Sequence, residues 1–357
     1  MLFCGFFLIS DSIVPYLSSI SAYLLATVAI WQLSHLMTRK ICKHLRLVPP
    51  ANKAVFITGC DTGFGHLLAL RLNKMRFFVI ASVLDTESDG AKALKASASN
   101  SSLLRIIKVD VTKDDDFIAA KTFVDEALTK HHFQLYAVVN NAGVNITYPS
   151  EWYPNATAED YRGNLDVNFL SIVRTCRTFL PLLRQSKGRI VNVISYASRI
   201  GFEGLSHYCA SKHAAAGFTD ALVNELDQFG IRVVSIEPTL YLTPMVGGNR
   251  MCREMKQQFD ALSPEVHEAY GDESLEMTSR LIRILTSPPC ASNELDDVID
   301  TLVEAIRSAE PPPIIVVAPF GIRQYFWFCC EFLPRDLLYS LKSCAKRILQ
   351  FANKSKN

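Results

Sequence analysis

One segment decides the fold: Thr58-Gly59-Cys60-Asp61-Thr62-Gly63-Phe64-Gly65. An apolar run, Ala54 to Ile57, precedes it and predicts a buried strand, while Leu67 to Met75 predicts a helix. Glycines between a strand and a helix let the backbone approach a pyrophosphate, and the helix N-terminus supplies amide donors and the positive end of a dipole. The strand before the turn and the helix after it favour a dinucleotide-binding unit over a tight turn without a ligand.

The same alternation of strand and helix continues to about residue 236. The strand runs are continuous in Val, Ile and Leu, which is typical of parallel strands covered on both faces. The sequence therefore predicts one doubly wound α/β domain. The predicted strands are 77–84, 104–109, 135–140, 189–195 and 231–236, and the predicted helices are 114–129, 166–183 and 208–229.

The composition excludes several classes of protein. Of the 357 residues, 49% are hydrophobic, which is enough for a sizeable core. Lys and Arg number 37 against 35 Asp and Glu, so the charge gives no case for nucleic-acid binding. The ten cysteines form no Cys-x-x-Cys pair and no zinc-like spacing with His. This pattern predicts free thiols in a reduced compartment and no metal site.

The first fifty residues differ from the rest. The run from Ile13 to Met37 has no charged residue, and 25 residues at about 1.5 Å each can cross about 30 Å of hydrocarbon. A cleaved signal peptide usually begins with basic residues, whereas the first one here is Arg39. A buried helix is usually shorter and has a polar face. The sequence therefore predicts a single-pass membrane anchor within residues 1–50, closed by Pro49-Pro50.

Charges around this segment predict its orientation. Four basic residues lie between positions 39 and 46, and the preceding flank carries only Asp11. Positive charge on that side favours a cytosolic main domain, and the endoplasmic reticulum is the expected membrane. The N-glycosylation sequences at Asn100, Asn145 and Asn155 would matter only if the domain were luminal instead.

A second cluster of residues carries the chemistry. Tyr208 and Lys212 lie four residues apart at the start of a predicted helix, so their side chains share one face. A phenol with a pKa of about 10 is a poor base at neutral pH, and a nearby ammonium favours the phenolate. Ser195 ends a predicted strand, where α/β sheets bind ligands, and Asn168 lies early in a helix. Such a Tyr–Lys pair is common by chance, but the ordered set that includes the glycine turn is informative.

In order and spacing, these motifs resemble those of the short-chain dehydrogenases/reductases. The resemblance extends over about residues 51–325 and implies a single Rossmann-type, doubly wound parallel sheet with helices on both faces. It also implies an enzyme that oxidises alcohols or reduces carbonyls with NAD or NADP. The motifs are Thr58 to Gly65, Asp110-Val111-Thr112, Asn140-Asn141-Ala142-Gly143, Asn168, Ser195, Tyr208 and Lys212.

The resemblance implies a role for each residue of the catalytic set. Tyr208 would be the general acid/base, and Ser195 would orient the substrate. Lys212 would bind the nicotinamide ribose and lower the pKa of Tyr208. Asn168 would support a water in the proton relay.

The resemblance also implies contacts with the cofactor. Asp110 would contact the adenine, and Thr243 would touch the carboxamide. Thr239 follows Pro238 here, where the family has Gly, so the local backbone path departs from the family pattern. The expected cofactor-binding set is Thr58, Gly59, Gly63, Gly65, Asp85, Asp110, Val111, Asn140, Gly143, Lys212 and Thr243.

Two acidic residues favour NAD(H) over NADP(H). Asp85 follows the second predicted strand, where a carboxylate can meet the ribose 2′-hydroxyl, although it falls about two residues late. Asp61 stands within the glycine turn, where NADP-dependent members of the family often carry a basic residue. Neither residue suits a 2′-phosphate.

Two further stretches, Phe179 to Arg189 and Leu262 to Gly271, resemble the hydroxysteroid (17-beta type) and retinol dehydrogenases, with 3-hydroxybutyrate dehydrogenase as a relative. The expected substrate is therefore a lipophilic secondary or allylic alcohol, a steroid or a retinoid, or its carbonyl. Two alternatives stay open: a lipid hydroxy-acid dehydrogenase, and a non-catalytic, cofactor-binding membrane scaffold. Analogy with the family suggests a homodimer.

Two regions follow the last predicted strand. The insertion at about residues 244–290 is expected to be a lid over the substrate, and its apolar residues would either line a pocket or form ordinary core. The segment 326–357 is apolar and basic, and the aromatic stretch Tyr325 to Leu333 would meet the membrane interface, a subunit or the core. The lid residues in question are Met245, Met251, Met255, Phe259, Leu262 and Tyr270.

Overall fold

The computed structural model of the protein describes residues 47–145, 149–152, 158–288 and 290–319. The expected N-terminal anchor, the C-terminal aromatic stretch and the Asn155 sequon lie outside these ranges. Within them, no helix combines the length and the apolar character needed to cross a bilayer.

The chain divides into two units. The smaller comprises residues 1–49 and 307–309. In it, Leu47 pairs antiparallel with Ser308, and the Val48 amide donates to the Arg307 carbonyl at 2.7 Å. The larger comprises residues 50–306 and 310–357 and contains the sheet.

Seven parallel strands form one sheet in the order β3-β2-β1-β4-β5-β6-β7. The chain adds strands outward from β1 to β3, then crosses to the other side of β1 and adds β4 to β7. This is the doubly wound arrangement that the sequence predicts, and the prediction is confirmed. The strands are β1 (Lys53–Ile57), β2 (Phe78–Val83), β3 (Leu104–Lys108), β4 (Gln134–Asn140), β5 (Arg189–Val193), β6 (Arg232–Pro238) and β7 (Ile314–Val317).

Both faces of this sheet are covered. Every residue of β2 and of β5 is buried, although successive side chains of a strand point to opposite faces. Because parallel crossovers are right-handed, the reversal after β3 sends the helices before and after it to opposite faces. The helices are α1 (Gly63–Lys74), α2 (Asp89–Ala96), α3 (Asp114–His131), α4 (Ala158–Leu165), α5 (Ser171–Ser186), α6 (Ser206–Asp227), α7 (Gly248–Asp260), α8 (Pro264–Leu285) and α9 (Asp296–Arg307).

Local sequence explains where several helices begin. Ser88 Oγ accepts from the Ala91 amide at the start of α2, and Ser263 caps α8, whose first residue is Pro264. Three aspartates at positions 114–116 stand in the first turn of α3, where the helix dipole favours negative charge.

The structure departs from the sequence expectation in several elements. Residues 89–96 form helix α2, which is not among the helices predicted from the sequence. The predicted helix 166–183 is interrupted, because Asp166–Leu170 is a π-helical turn between α4 and α5. Helix α9 and strand β7 lie beyond the last predicted strand, and the four residues of β7 are too few to give a periodic signal.

The insertion expected to be a lid folds as the hairpin of α7 and α8 with a core of its own. Trp152 is fully buried there, with the Phe259 ring centroid at 4.9 Å and the Tyr270 ring edge-on at 5.6 Å. Of the six lid residues considered in the sequence, only Met245 lines the cleft described below; the others belong to or pack against this core.

Candidate active site

A cleft opens at the carboxyl ends of the strands, around the point where the order reverses between β1 and β4. Open α/β sheets bind ligands at such a switch point. The cleft volume of about 350 Å³ is within the range of small-molecule sites. Nine of the expected catalytic and cofactor-binding residues line it: Gly59, Gly63, Asp110, Val111, Gly143, Ser195, Tyr208, Lys212 and Thr243.

Thr58 and Asn141 hold the two sides of the switch point together. Thr58 Oγ1 accepts from the amides of Asn141 and Ala142, both at 3.0 Å. In return, Asn141 Nδ2 donates to the carbonyls of Thr58 and Gly59, both at 2.9 Å. The loop after β1 is thereby tied to the loop after β4, so Thr58 shapes the cleft without lining it.

The glycines of the turn meet different steric requirements. Gly59, at φ +69°, would place a Cβ 2.8 Å from Ala142 Cα, and a Cβ on Gly65 would collide with the Gly59 carbonyl oxygen. Gly63, at φ +63°, lies beside the cleft, and its Cβ would find only Thr243 within 4 Å. Left-handed backbone favours glycine, and the open space at the start of α1 fits the pyrophosphate of a dinucleotide.

Asn168 lies in the π turn, fully buried behind the cleft. Its Oδ1 accepts from the Val144 amide at 2.8 Å, and its Nδ2 donates to the Val144 carbonyl and to Ser211 Oγ, both at 2.9 Å. Ser211 precedes Lys212 in α6. The Asn168 side chain therefore fixes the loop after β4 against the helix that carries Tyr208 and Lys212.

Ser195 begins a single 3₁₀ turn at Tyr196–Ser198 that connects β5 to the following loop. Because β5 ends at Val193, Ser195 stands two residues beyond the strand in which the sequence expected it. Its Oγ accepts from the Ala197 amide at 3.1 Å and is hydrogen-bonded to the Tyr208 side chain. The turn thus brings Ser195 to the hydroxyl of Tyr208.

Burial opposes charge on both Tyr208 and Lys212. The Tyr208 side chain is partly exposed to the cleft. Desolvation nevertheless raises the pKa of Tyr208 to about 12, while the hydrogen bond with Ser195 lowers it. Lys212 Nζ donates to the Val193 carbonyl at 3.1 Å, and desolvation lowers the pKa of Lys212 to about 8.

The two side chains are nevertheless close, with Lys212 Nζ 5.6 Å from the centre of the Tyr208 ring. Desolvation dominates, so the pKa of Tyr208 is raised where the resemblance implied that Lys212 would lower it. In the protein alone, Tyr208 is therefore a protonated phenol at neutral pH.

Asp110 and Asn140, both expected at the cofactor, lie in different environments. The Asp110 carboxylate lines the cleft and accepts from the Thr112 amide at 3.0 Å and hydroxyl at 2.7 Å, which lowers the pKa of Asp110. Asn140 lies in the core instead of the cleft lining, and its Nδ2 donates to Asn192 Oδ1 at 2.7 Å. Asn192 donates to Thr219 Oγ1 at 2.8 Å. These buried amides join β4, β5 and α6 beneath the cleft.

Asp61 occupies the position in space that the sequence assigned to Asp85. Asp85 is exposed and absent from the cleft lining, and its Oδ1 accepts from the Glu87 amide at 2.9 Å. Asp61 lines the cleft, and its Oδ2 accepts from the Leu84 amide, just beyond β2, at 3.2 Å. The glycine turn itself therefore supplies the carboxylate at the carboxyl end of β2.

Several cleft residues were missed in the sequence. Asn141 was noted only as part of a motif, although an amide directly after a buried strand and before a glycine was a usable signal. Phe64 and Tyr241 meet edge to face at 6.2 Å, and a backbone bridge to Ser292 holds Tyr241 in the wall. Such contacts join loops that are distant in sequence, so periodicity gives no indication of them.

No group of three or more His, Cys, Asp or Glu side chains in the described ranges is arranged to hold a metal ion.

The profile of the short chain dehydrogenase family matches residues 53–253 of the chain. This chain belongs to the short-chain dehydrogenase family. It is an enzyme of the alcohol dehydrogenase/reductase class that uses NAD or NADP.

Named relatives cover most of this short-chain dehydrogenase. Retinol dehydrogenase 7 of Rattus norvegicus is 35% identical over 81% of this chain and 86% of its own. Estradiol 17-beta-dehydrogenase 2 of Mus musculus is 35% identical over 82% of this chain and 74% of its own.

Solved structures share the fold. A short-chain dehydrogenase/reductase from Burkholderia phymatum in complex with NAD has a TM-score of 0.61 at 21% identity, over 80% of this chain and 95% of that one. A short-chain dehydrogenase from Burkholderia cenocepacia in complex with NADP has a TM-score of 0.57 at 19% identity, over the same shares. One holds NAD and the other NADP, so they give no preference between the two cofactors.

We expect Gly65→Ala to weaken NADH binding by at least about tenfold. Gly65 lies in the first turn of α1, and its new methyl group must displace the Gly59 carbonyl and so distort the glycine turn. Gly217→Ala is the matched control, since no atom outside the backbone of α6 itself lies within 4 Å of its Cβ position. NADH fluorescence titration measures both affinities. Equal affinities for the two variants would show that the turn does not hold the cofactor.

Proposed function

We propose that this short-chain dehydrogenase interconverts a lipophilic secondary or allylic alcohol, a steroid or a retinoid, and its carbonyl by hydride transfer. One observation carries the proposal: Ser195, Tyr208 and Lys212 meet at the wall of the cleft. The names of a retinol dehydrogenase and an estradiol dehydrogenase among the relatives support the substrate class.

In the proposed oxidation, the phenolate form of Tyr208 accepts the hydroxyl proton of the alcohol while Ser195 holds the substrate oxygen. When bound, the nicotinamide supplies the acceptor for the hydride of the carbinol carbon. In the reverse direction, Tyr208 returns the proton to the carbonyl oxygen. Ser195 assists because its hydrogen bond lowers the pKa of Tyr208.

Lys212 and Asn168 support this exchange. Below a pH of about 8, Lys212 is an ammonium close to Tyr208 and stabilises the phenolate. We also assign it to the nicotinamide ribose. Asn168, which holds Val144 and Ser211 in place, supports the water that relays the proton.

Charge favours a neutral substrate over a hydroxy acid. Within the part of the chain that the structure describes, Lys212 is the sole Lys or Arg that lines the cleft, and it lies beside Tyr208. A substrate carboxylate would need a second cation. Val144, Met245 and Val246 instead offer apolar surface. These features support a lipophilic alcohol over a 3-hydroxybutyrate-like acid.

Asp61 supports NAD(H) as the cofactor. Its carboxylate beside the Leu84 amide would accept from a ribose hydroxyl and repel a 2′-phosphate. We propose this role for Asp61 in place of Asp85. The remaining contacts that we assign to the cofactor are those of Gly59, Gly63, Asp110, Val111, Gly143 and Thr243.

We further propose that residues 1–50 anchor the enzyme in the endoplasmic reticulum membrane. The uncharged run 13–37 and the basic flank that follows it support this, with the catalytic domain on the cytosolic side. Residues 51–325 then form the dehydrogenase domain, and 326–357 a C-terminal segment. A homodimer is proposed by analogy with the family.

A panel of estradiol, all-trans-retinol and 3-hydroxybutyrate, each with NAD in detergent micelles, tests the function. We expect a lipophilic alcohol to be oxidised, and Tyr208→Phe to lower kcat by about 10²- to 10⁴-fold because the acid/base group is lost. NADH fluorescence follows turnover. Oxidation of 3-hydroxybutyrate alone would disprove the substrate class, and a protein that binds NAD without turnover would favour the scaffold.

The rate of oxidation should rise with pH up to about 8 and then level off. Below the raised pKa of Tyr208 the phenolate fraction grows with pH, whereas above the lowered pKa of Lys212, about 8, the ammonium that stabilises the phenolate is lost. The pH profile of kcat/KM from pH 6 to pH 10 measures this, because both pKa values are those of the protein without substrate. A rate that falls between pH 6 and pH 8 would rule out Tyr208 as the base.

Asp61→Asn should raise the affinity for NADPH relative to NADH by about tenfold. The amide keeps an acceptor for the Leu84 amide but no longer repels a 2′-phosphate. Asp85→Asn, which neutralises an exposed carboxylate outside the cleft lining, should change the ratio by less than about twofold. Fluorescence titrations with both cofactors give the ratio. A change in the ratio for Asp85→Asn and none for Asp61→Asn would instead assign the ribose contact to Asp85.

A further inference from the structure

An ion pair with a buried carboxylate lies directly beside the turn that carries Ser195. Arg199 Nε donates to Glu237 Oε2 at 2.7 Å, and Arg199 Nη2 donates to Glu237 Oε1 at 3.0 Å. Ser235 Oγ adds a third donor to Oε1 at 3.0 Å. The Glu237 side chain is 2% exposed and that of Arg199 is 27% exposed. A two-pronged, fully hydrogen-bonded pair of this kind fixes geometry as well as charge.

The pair connects two elements that meet at the active site. Glu237 is on β6, near its carboxyl end, whereas Arg199 directly follows the 3₁₀ turn Tyr196–Ser198. The backbone adds one bond nearby, from the Ile194 amide to the Ile236 carbonyl at 2.8 Å. Beyond Ile194, the chain leaves β5 and the strand ladder no longer supports it.

Within the turn, short hydrogen bonds link Ser195 to Arg199. The Ser198 amide and hydroxyl both donate to the Ser195 carbonyl, at 3.0 and 2.7 Å. The Arg199 amide donates to the Tyr196 carbonyl at 3.0 Å. These bonds make the turn a compact unit whose residues are buried against α6, and its two ends are tied to β6. Ile194 holds one end to β6, and Arg199 holds the other.

We propose that the Arg199–Glu237 ion pair is a positioning device that holds this turn against β6 and so sets Ser195 Oγ against the Tyr208 hydroxyl. The inference rests on the proposed roles of Ser195 and Tyr208. Arg199 and Glu237 are positioning residues, because they act on the reaction only through Ser195. A displacement of about 1 Å in such a group can cost about 100-fold in rate.

Kinetics in two backgrounds test the inference. Glu237→Gln should lower kcat for the alcohol oxidised in the panel by about 10- to 100-fold. In a Ser195→Ala background the same change should cost less than about twofold, because the group that it positions is already absent. NADH affinity should stay within about twofold in both backgrounds. Losses that multiply in the double variant would overturn the inference.

Hydrogen exchange gives a second readout that needs no substrate. The amides of Ala197, Ser198 and Arg199 donate hydrogen bonds within the turn, and these bonds slow their exchange with solvent. If the ion pair holds the turn in place, a peptide that covers 195–200 should exchange at least about tenfold faster in Glu237→Gln. A peptide from β2 should be unchanged. Unchanged exchange in the turn would overturn the inference even where no alcohol is oxidised.

The controls separate positioning from general stability. Arg232 begins β6 and pairs with Asp227 at 2.9 Å on the exposed end of the same strand. Asp227→Asn should alter neither kcat nor exchange of the turn. If Glu237→Gln does not fold, Arg199→Lys replaces it, since it keeps the charge but cannot make both bonds. If Ser195→Ala retains full kcat, the proposed role of Ser195 fails, and the exchange result alone decides whether the pair holds the turn.

Discussion

β1 and β4 stay paired up to the switch point, and reciprocal hydrogen bonds between Thr58 and Asn141 tie together the loops that follow them. This tie sets the spacing of the cleft, because the loop after β1 carries the glycine turn and the loop after β4 carries Gly143. Gly65 must remain without a side chain for the same reason. A small set of backbone contacts therefore determines where a dinucleotide can lie.

On the other wall of the cleft, the chemistry depends on a balance between burial and charge. Desolvation raises the pKa of Tyr208 and lowers that of Lys212, so each side chain resists the ionised form that proton transfer needs. The hydrogen bond with Ser195 lowers the pKa of Tyr208 and so acts against this resistance. Small changes in the position of Ser195 should therefore shift the pKa of Tyr208 more here than they would in an exposed site.

The fold could be predicted from the sequence because its signals are local. Continuous apolar runs mark β1 and β4, and the glycine turn marks the start of α1. The core of α7 and α8 around Trp152 could not be predicted in this way, because the same apolar residues suit a pocket or a core. The choice depends on which surfaces meet, and that is a long-range property.

The sequence by itself determined the family and the doubly wound sheet and predicted the catalytic set, because each rests on ordered motifs and on hydrophobic periodicity. The tertiary structure decided which carboxylate faces the cleft: Asp61 reaches the Leu84 amide, whereas Asp85 turns to its own loop. It also decided that Asn140 belongs to the core and that Glu237 meets Arg199. These contacts join residues that are far apart in the chain, so only the folded backbone brings them within hydrogen-bonding distance.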